Sequence, residues 1–571
     1  MQKSNTDEFP IQAIPLLEKF KSKMVLISRR NGSFFQAIKP ALLKVQNCCS
    51  TCALIICLVL LILSLLAVIF KPLNKITHAL VIDLDEPIRH VTDSKFLSIA
   101  IDSVFIAHGF RECNISDPKL LKLMIPLAPG YLRIGGTMAD RLVFTSSPTF
   151  LFKTFDTVEI DGGECSYENT YCDAYYRHNY TMNGHEWLQL NKLAADAGFT
   201  MLFDLNALRR FENGSWNYTN AEELIAFSEK HNLKIMWELG NEPDRFRHAF
   251  NYEVNATQLA NDFITLRNIL DRHPMYKNSL LVGPDTTRPQ PSHKESEVYF
   301  QKFLETAGNV VSAITWHQYY LNGKTAKATD FVDPAVFDVL YAQINITKTI
   351  VKKLGLEAKP IWLGETSSAY SSGALGYSDR YISTFIWLDK LGVAAKTGLD
   401  VVVRQTLFQG NYALVDKTLD PNPDWWISVL YKMLVGPEVI TCYDMLNKNV
   451  RLYCHCTKVS AYGIAPSVTV FGMNMKNTEA KVRIEGIFPG LHKEVATDKV
   501  YAYVLTPYLT LLTKHIQLND DILFLLPDGS LPPLNPKVVS PHPYLIMPPY
   551  SLAFWVIPSP FVHCSSIISD L

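Results

Sequence analysis

The sequence predicts an α/β protein: a (β/α)8 TIM barrel with an accessory β-sandwich domain, preceded by one transmembrane signal-anchor helix. Eight short β-prone runs that end in polar residues alternate with helical stretches, which is typical of the barrel. After Asp416 the β-prone runs follow one another closely, which favours a sandwich, and one apolar run lies near the N-terminus. The 571 residues have a mean hydropathy near zero and are 11% aromatic, which excludes a disordered chain.

The apolar run covers residues 53–70 and contains no charged side chain. Its length reaches the lower end of what a membrane-spanning helix needs. More basic than acidic residues precede it, so the positive-inside rule predicts a cytoplasmic tail over 1–52, a signal anchor over 53–70 and a luminal or extracellular remainder. We therefore expect a single-pass type II membrane protein of the lysosome, the cell surface or the extracellular matrix. The alternative is secretion after cleavage of a signal peptide.

N-glycosylation sequons and cysteines also point to a secretory compartment. Six sequons follow the apolar run, at Asn114, Asn179, Asn213, Asn217, Asn255 and Asn345. Seven cysteines follow it without metal-ligand spacing, so disulfides are expected rather than a metal site. Cys165 and Cys172 lie close together in the sequence and are predicted to pair. A Cys442–Cys454 pair stays open, and so does the state of Cys113.

The eight barrel strands are predicted from the β-prone runs between residues 96 and 405. These runs are Phe96–Asp102, Tyr131–Thr137, Thr200–Asn206, Lys234–Glu242, Leu280–Asp285, Ala313–Tyr319, Pro360–Glu365 and Leu399–Gln405. Six of the seven start-to-start spacings fit one βα unit. The remaining spacing, between the second and third runs, is longer and contains an insertion at about 140–184. We therefore predict a linker with one sandwich strand over 71–95, the barrel over 96–425 and the sandwich over 426–571.

In a (β/α)8 barrel the catalytic groups lie at the carboxyl ends of the strands. The predicted strands end at Asp102, Thr137, Asn206, Asn241, Glu242, Asp285, His317, Tyr319, Glu365 and Gln405. We interpret Asp285 and Asn206 as caps at loop starts and the others as a polar rim around the barrel mouth. The net charge of −1 argues against a protein that binds nucleic acid.

Two of these residues, Glu242 and Glu365, suit glycoside hydrolysis. They follow the fourth and seventh predicted strands and therefore face one mouth. Glycosidases use such a pair, in which one carboxylic acid protonates the leaving oxygen and one carboxylate attacks the anomeric carbon. The two groups must differ in pKa, which burial and mutual proximity would supply.

The motifs around both glutamates resemble those of the heparanase family, the endo-β-glucuronidases of glycoside hydrolase family 79. The matching runs are Trp237-Glu-Leu-Gly-Asn-Glu-Pro243, Ile361-Trp-Leu-Gly-Glu-Thr-Ser-Ser-Ala-Tyr370, Tyr131-Leu-Arg-Ile-Gly-Gly-Thr137, Thr315-Trp-His-Gln-Tyr-Tyr-Leu-Asn-Gly323, Trp387-Leu-Asp-Lys-Leu-Gly392 and Gly410-Asn-Tyr-Ala-Leu-Val-Asp416. The resemblance spans about residues 77–564. It implies that the chain cleaves β-glucuronidic linkages in heparan sulfate. The sequence shows no metal-site or nucleotide-loop motif, so we expect no cofactor or metal, and we expect a monomer.

The resemblance also implies a role for each matching residue. Glu242 would be the acid/base and Glu365 the nucleophile of a retaining mechanism, with Asn241 on the 2-hydroxyl of the sugar and Tyr319 orienting Glu365. Substrate would further contact Asp102, Thr137, His317, Tyr370, Gln405, Gly410 and Tyr412. The inner strand residue Glu238 is expected to bond a barrel-interior partner such as Arg133. Cys456 and Cys564 match the cysteines that close the family's sandwich domain.

The sequence departs from the family where a basic heparin-binding cluster is expected. The corresponding run, Arg288-Pro-Gln-Pro-Ser-His-Lys294, carries few charges, and the part of the chain after residue 70 has a net charge of −6. An exo-β-glucuronidase and a non-catalytic relative that binds heparan sulfate therefore stay open. All 15 histidines lie after residue 70 and would gain charge at low pH, so we expect activity to peak at mildly acidic pH.

Overall fold

The computed structural model describes residues 77–82, 86–111, 113–146, 178–290, 294–444, 448–458, 467–486, 499–558 and 564. Numbered in chain order, its strands are β1 (Thr77–Ile82), β2 (His90–Val91), β3 (Leu97–Asp102), β4 (Gly130–Gly135), β5 (Leu142–Thr145), β6 (Tyr180–Asn183), β7 (Phe199–Leu205), β8 (Ile235–Leu239), β9 (Val282–Thr286), β10 (Ala313–Asn322), β11 (Ile361–Tyr370), β12 (Val401–Arg404), β13 (Val435–Val439), β14 (Cys442–Asp444), β15 (Val450–Thr457), β16 (Ser467–Asn474), β17 (Ala480–Glu485), β18 (Val500–Pro507), β19 (Ile516–Leu518), β20 (Asp521–Ile522), β21 (Lys537–Val539), β22 (Leu545–Met547) and β23 (Ser551–Pro558).

Ten α-helices lie within these described ranges. They are Val104–Ala107, Pro118–Met124, Gly184–Asp196, Thr219–Lys230, Phe246–Phe250, Ala256–Arg272, Lys294–Ala307, Pro334–Lys353, Ser383–Lys396 and Pro423–Leu434. Side-chain caps fix several of their starts. Asn183, Asn255 and Asp333 each accept a backbone N–H of the first turn, which satisfies a donor that the helix itself cannot pair.

All eight predicted barrel strands are present and form one parallel sheet. Their order is β8-β7-β4-β3-β12-β11-β10-β9. Neighbours in this sheet follow one another along the chain, except that the last barrel strand, β12, pairs with the first, β3. The backbone N–H of Trp237 donates to the carbonyl oxygen of Leu280 at 3.0 Å, which brings β8 to the segment before β9. The barrel is therefore nearly closed, and the predicted TIM-barrel fold is confirmed.

The barrel interior changes from apolar to polar toward the carboxyl ends of the strands. One buried layer consists of Ala100, Tyr131, Leu202, Met236, Val282, Ala313, Trp362, Val401 and Val403. Side chains two residues apart on a strand share a face, so Asp102, Arg133, Asp204 and Glu238 lie one layer higher. Apolar side chains thus fill the barrel toward the amino ends of the strands, and a layer of charged side chains lies between them and the mouth.

Two further sheets pack face to face as the predicted sandwich. One has the order β14-β1-β17-β22, and the other has the order β2-β13-β15-β16-β23-β18-β19-β20, with β21 paired to β18. Buried side chains of both sheets, such as Ile82, Val482, Val470 and Trp555, belong to one apolar cluster. As predicted, β1 joins this sandwich from a position before the barrel in the sequence. The domain boundaries themselves stay a prediction.

The structure contains the disulfide that the family resemblance implied, between Cys456 and Cys564. Cys442 is a buried free thiol, so the Cys442–Cys454 pair is not formed. Cys113 is likewise a buried free thiol. The Cys165–Cys172 pair lies outside the described residues and stays a prediction. The sequons Asn114, Asn179, Asn213, Asn255 and Asn345 are exposed, and Asn217 is half-buried, so carbohydrate could reach all six.

The predicted localisation requires a correction. Among the residues that the structure describes, no helix is long and apolar enough to cross a membrane. The prediction of a single-pass type II membrane protein is therefore withdrawn. It depended on residues 53–70, which lie outside the described residues.

Candidate active site

Glu242 and Glu365 lie at the barrel mouth, on elements that hold them in different ways. Glu242 follows β8 by three residues and adopts a left-handed backbone conformation with φ of 52°. A positive φ is uncommon for residues other than glycine and often marks a functional site. The N–H of Glu242 donates to the carbonyl oxygen of Asp285 at 3.0 Å, which fixes this turn. Glu365 lies inside β11 and is 7% exposed.

The two carboxylates are close to each other. One oxygen of Glu242, one oxygen of Glu365 and a ring nitrogen of His317 all lie within 4.8 Å of one another. Retaining glycosidases separate their two carboxyl groups by about 5–5.5 Å, whereas inverting enzymes leave room for a water molecule at about 6.5–9.5 Å. The observed spacing suits direct attack by one carboxylate on a sugar that the other protonates.

Glu365 is surrounded by groups that stabilise a carboxylate. Arg133 Nη1 donates to its Oε2 at 2.9 Å, and the Tyr319 hydroxyl donates to its Oε1 at 2.6 Å. Burial and the neighbouring Glu365 raise the pKa of Tyr319 well above 10, so the hydroxyl keeps its proton and remains a donor. Glu365 therefore has a fixed orientation and a compensated negative charge, as a nucleophile requires.

Glu242 has the surroundings of a group that carries a proton. Burial raises the pKa of Glu242, and the nearby Glu365 and Asp244 raise it further, whereas His317 lowers it. His317 Nδ1 lies 3.0 Å from Glu242 Oε1. Two carboxyl groups at one mouth thus differ in environment, which is the arrangement that separates acid from nucleophile.

His317 bridges Glu242 and a second carboxylate. The imidazole is 1% exposed, and its Nε2 lies 3.4 Å from Asp285 Oδ1. Burial opposes its charging, but Asp285, Glu365 and Glu242 together raise the pKa of His317 well above 6.5. A protonated imidazole can only donate, so a charged His317 would donate from Nδ1 to Glu242 Oε1 and leave Oε2 as the position for a proton on Glu242.

Arg133 lies at the centre of the polar layer below the mouth. Its guanidinium contacts Glu238 at 2.8 Å and Asp285 at 2.7 Å, besides Glu365, and Asp204 lies 3.8 Å away. The expected Arg133–Glu238 contact is therefore confirmed. The Arg133 guanidinium is thus shared by several buried carboxylates. Burial raises the pKa of one of them, Glu238, to about 8.

Two groups of side chains have the spacing of metal ligands. Asp204, Glu238 and Asp285 form one, but the Arg133 guanidinium already occupies the space that they surround. Glu242, His317 and Glu365 form the other, and its Glu365 oxygens already accept from Arg133 and Tyr319. Both groups thus have protein donors where a metal would bind.

Asn241, immediately before Glu242, is held by three hydrogen bonds. Its Oδ1 accepts from Arg133 Nη2 at 3.0 Å and from the N–H of Gly136 at 3.1 Å, and its own N–H donates to Asp140 Oδ2 at 2.9 Å. Because Oδ1 is occupied, the Nδ2 amide is the group that Asn241 can offer to a ligand.

Comparisons with known proteins agree with this geometry. The family model described as "Glycosyl hydrolase family 79, N-terminal domain" matches residues 106–392. The chain is 32% identical to heparanase of Gallus gallus over 532 residues, which is 87% of this chain and 98% of that protein. The chain belongs to glycosyl hydrolase family 79. It is a glycoside hydrolase related to the heparanases.

Other relatives differ in what their names state. A hyaluronoglucuronidase of Hirudo nipponia is 34% identical over 80% of this chain and 93% of that protein. The inactive heparanase-2 of Mus musculus is 30% identical over 82% of this chain and 86% of that protein. A crystal structure of a 4-O-α-L-rhamnosyl-β-D-glucuronidase from Fusarium oxysporum aligns with a TM-score of 0.60 at 14% identity, covering 84% of this chain and all of that one, which shows the shared fold.

The remaining positions expected from the family-79 resemblance lie around the same mouth. Gln405 Nε2 donates to Asp102 Oδ2 at 3.0 Å, and burial raises the pKa of Asp102 to about 6. The Tyr412 ring stacks on Tyr319 with the centroids 6.3 Å apart. A side chain at Gly410, where φ is 74°, would meet the Tyr412 ring at 3.0 Å.

Three other residues differ in exposure and contacts. Thr137 is half-buried just after β4, and Tyr370 is 37% exposed at the end of β11. His317 is 1% exposed and contacts Glu242 and Asp285, and its expected contact with substrate stays a prediction.

Two interpretations of the strand ends have different outcomes. Asn206 is a cap, as predicted, because its Oδ1 accepts from the N–H groups of Leu208 and Arg209. The cap interpretation of Asp285 is wrong, since this side chain is fully buried and pairs with Arg133 and His317. The backbone of Asp285 has a φ of 57°, which is uncommon for a residue other than glycine.

Sequence reasoning also missed Asp140, which is buried and contacts the residue before Glu242. Its two oxygens accept from the N–H groups of Ala207 and Asn241, so it fixes the loop that carries Glu242. The residue follows the Gly-Gly-Thr motif by three positions, and this nearness to β4 is the signal that could have identified it.

Proposed function

We propose that this family-79 protein is a retaining endo-β-glucuronidase that cleaves glucuronidic linkages in heparan sulfate. The observation that carries the proposal is the pair of carboxyl groups within 4.8 Å, of which Glu365 is paired with a cation and Glu242 has a raised pKa. The names of the heparanase and hyaluronoglucuronidase relatives support a glucuronic-acid-containing glycosaminoglycan as substrate.

The first step forms a glycosyl-enzyme. A Glu365 oxygen attacks the anomeric carbon, the glycosidic C–O bond breaks, and Glu242 gives its Oε2 proton to the leaving oxygen. Tyr319 and Arg133 hold Glu365 at its attacking position. Asn241 donates from Nδ2 to the 2-hydroxyl of the reacting sugar, where hydrogen bonds strengthen in the transition state.

The second step releases the sugar. Glu242, now a carboxylate, takes a proton from water, the water oxygen attacks the anomeric carbon, and the bond to Glu365 breaks. The β configuration of the substrate is therefore kept in the product. Glu242 must be protonated at the start of each cycle, which favours mildly acidic pH.

The test compares the wild type with Glu365→Gln and Glu242→Gln, and with Glu357→Gln as a control at an exposed glutamate. We expect Glu365→Gln to abolish turnover of aryl β-glucuronides. Glu242→Gln should lose about 10²–10⁴-fold on a poor leaving group and lose less on a good one. NMR should show the β-anomer of the product first. An α-anomer first, or full activity in either variant, would refute the mechanism.

Size analysis of digested heparan sulfate distinguishes the alternatives. Internal cleavage produces oligosaccharides early, whereas an exo-enzyme releases only monosaccharide. The similarity to inactive heparanase-2 favours a second candidate function, binding without hydrolysis. Retained heparan sulfate binding without turnover in the wild type would support that candidate.

A further inference from the structure

Lys390 is a buried amine that no step of the proposed mechanism uses. It belongs to the run Trp387–Gly392, one of those that resemble the heparanase family, for which the resemblance implied no role at the mouth. The helix Ser383–Lys396 carries Lys390 on the outside of the barrel, where the side chain is fully buried. Burial and the nearby Arg404 lower the pKa of Lys390 well below its usual value. Burying a lysine costs free energy unless hydrogen bonds replace its water contacts, so the partners of this amine are informative.

The amine of Lys390 contacts both β10 and β11, the strands that carry the proposed nucleophile and its hydrogen-bond donor. On β11, Nζ donates to the Thr366 hydroxyl and to the carbonyl oxygen of Ser367, the latter at 2.7 Å. On β10, the carbonyl oxygen of Gln318 lies 3.5 Å from Nζ, and Thr366 donates to the same oxygen. Lys390 therefore joins the two strands through their backbones and one hydroxyl.

These contacts lie next in sequence to two residues of the mouth. Gln318 precedes Tyr319, and Thr366 follows Glu365. Successive residues of a strand face opposite sides of the sheet. Tyr319 and Glu365 accordingly meet inside the barrel at 2.6 Å, and their sequence neighbours contact Lys390 on the outside. The two strands are thus connected on both sides of the barrel wall at the level of the nucleophile.

The pairing of β10 with β11 is irregular just before this level. Its register shifts between Trp316 and His317, so that β11 accommodates Gly364 as an extra residue directly before Glu365. A bulge of this kind disrupts the ladder of backbone hydrogen bonds and changes the direction of side chains beside active sites. The contacts of Lys390 therefore stabilise the strand pair where the regular ladder is interrupted.

The helix that carries Lys390 is itself fixed by the sandwich. Asp389 Oδ1 accepts from the Tyr453 hydroxyl at 2.7 Å, and Arg451 Nη1 lies 3.3 Å from Asp389 Oδ2. A Cβ at Gly392 would collide with the buried Tyr453 ring, so glycine allows the close approach of helix and strand. A side chain that fixes a catalytic group acts best from an element that is itself held in place.

We propose that Lys390 is a positioning residue, which holds Glu365 and Tyr319 in their attacking arrangement by joining β10 and β11 behind them. It acts through the backbone of both strands and is separated from the substrate by the barrel wall. Such support matters because a displacement of about 1 Å at a reacting group can cost about a hundredfold in rate. This inference rests on the proposed function, in which Glu365 is the nucleophile.

The test uses Lys390→Met, which removes the N–H donors and keeps an unbranched side chain. Lys432→Met is the matched control, because Lys432 is also buried on a helix and its Nζ donates to the carbonyl oxygen of Pro129. That carbonyl directly precedes β4 and so lies at the end of the barrel away from the mouth. Thr366→Val removes the hydroxyl contact at nearly constant shape and is the second variant, which decides the question if Lys390→Met does not fold.

The measurement is single-turnover glycosylation with aryl β-glucuronides that have a good or a poor leaving group. We expect Lys390→Met to lower the rate constant about ten- to a hundredfold on both substrates, because Glu365 attacks in either case. The substrate Kd and the burst amplitude should stay unchanged, since binding and the fraction of folded enzyme are not affected. Thr366→Val should show a smaller loss of the same kind, and Lys432→Met should match the wild type.

A double variant distinguishes positioning of Glu365 from a general loss of stability. Tyr319→Phe and Lys390→Met act on the same carboxylate, so their combined loss should be smaller than the product of the separate losses. A combined loss equal to that product, a loss confined to the burst amplitude, or a rate constant equal to that of Lys432→Met would overturn the inference. The same criteria apply to Thr366→Val. Absence of glycosylation in the wild type would instead refute the proposed function.

Discussion

Replacing His317 with glutamine should move the alkaline limb of the pH–rate profile to higher pH. Neighbouring carboxylates raise the pKa of His317 well above its usual value, and its Nδ1 lies 3.0 Å from Glu242 Oε1. A cation at that distance stabilises the carboxylate and so lowers the pKa of Glu242, against the effect of burial. Glutamine can still donate a hydrogen bond but carries no charge. Without the charge, Glu242 keeps its proton to higher pH.

The size of the shift follows from the distance and the exposure. Two unit charges about 4 Å apart interact by roughly 1 kcal/mol in water and roughly 4 kcal/mol at an effective dielectric constant of 20. The Glu242 side chain is 28% exposed, so solvent screening brings the value toward the lower end. We expect about 1–2 kcal/mol, which corresponds to a rise of about one pKa unit.

The assay measures kcat/KM from pH 4 to 9 with a β-glucuronide that has a poor leaving group, since its cleavage depends on the acid. This quantity reports ionisations of the free enzyme. His248→Gln is the control, because His248 is an exposed histidine on a nearby helix. The position of the limb is the test, not the height of the plateau. An alkaline limb that stays in place or moves to lower pH would refute the charge argument.

Three further predictions concern the nucleophile, the barrel interior and the sandwich. Tyr319→Phe should slow single-turnover glycosylation about ten- to a hundredfold, because Glu365 loses a 2.6 Å hydrogen bond; an unchanged rate would contradict this. Glu238, with its pKa of about 8, binds a proton on folding, so the free energy of unfolding should fall as pH rises from about 4.5 to 8. Glu238→Gln should weaken that dependence in thermal melts at pH 5 and 8, and equal slopes in both proteins would count against it. Replacing Cys456 and Cys564 by serine should lower the free energy of unfolding by about 2–5 kcal/mol in urea titrations, since the bond spans 108 residues; an unchanged midpoint would exclude this contribution.

The barrel could be predicted from the sequence because its signals are local. Each strand is buried on both faces and ends in polar residues, so a short apolar run indicates its position. The end of a strand is harder to predict where its pairing with the neighbouring strand continues beyond the apolar run. The predicted strand Ala313–Tyr319 extends to Asn322, because Asn322 pairs with Tyr370 on the neighbouring strand.

The charged layer could be predicted only in part, because its contacts join distant segments. Asp285 contacts Arg133 across 152 positions of sequence, and only the closed ring of strands brings them together. Its position at a strand end equally suits a loop cap. Asp204 offers a better signal, since it follows the inward-facing Leu202 by two residues and must share that face.

Arg133 connects these observations to catalysis. The same guanidinium donates to Glu365 and to Asp285, and Asp285 in turn faces the imidazole that contacts Glu242. Burial alone would raise the pKa of Asp285, but Arg133 and His317 lower it below its usual range, so Asp285 stays ionised and keeps His317 charged. Removing Arg133 would leave several carboxylates buried without a cation, at a cost of about 3–5 kcal/mol for each broken pair. One residue of the barrel interior thus contacts the proposed nucleophile directly and, through Asp285 and His317, is connected to the proposed acid.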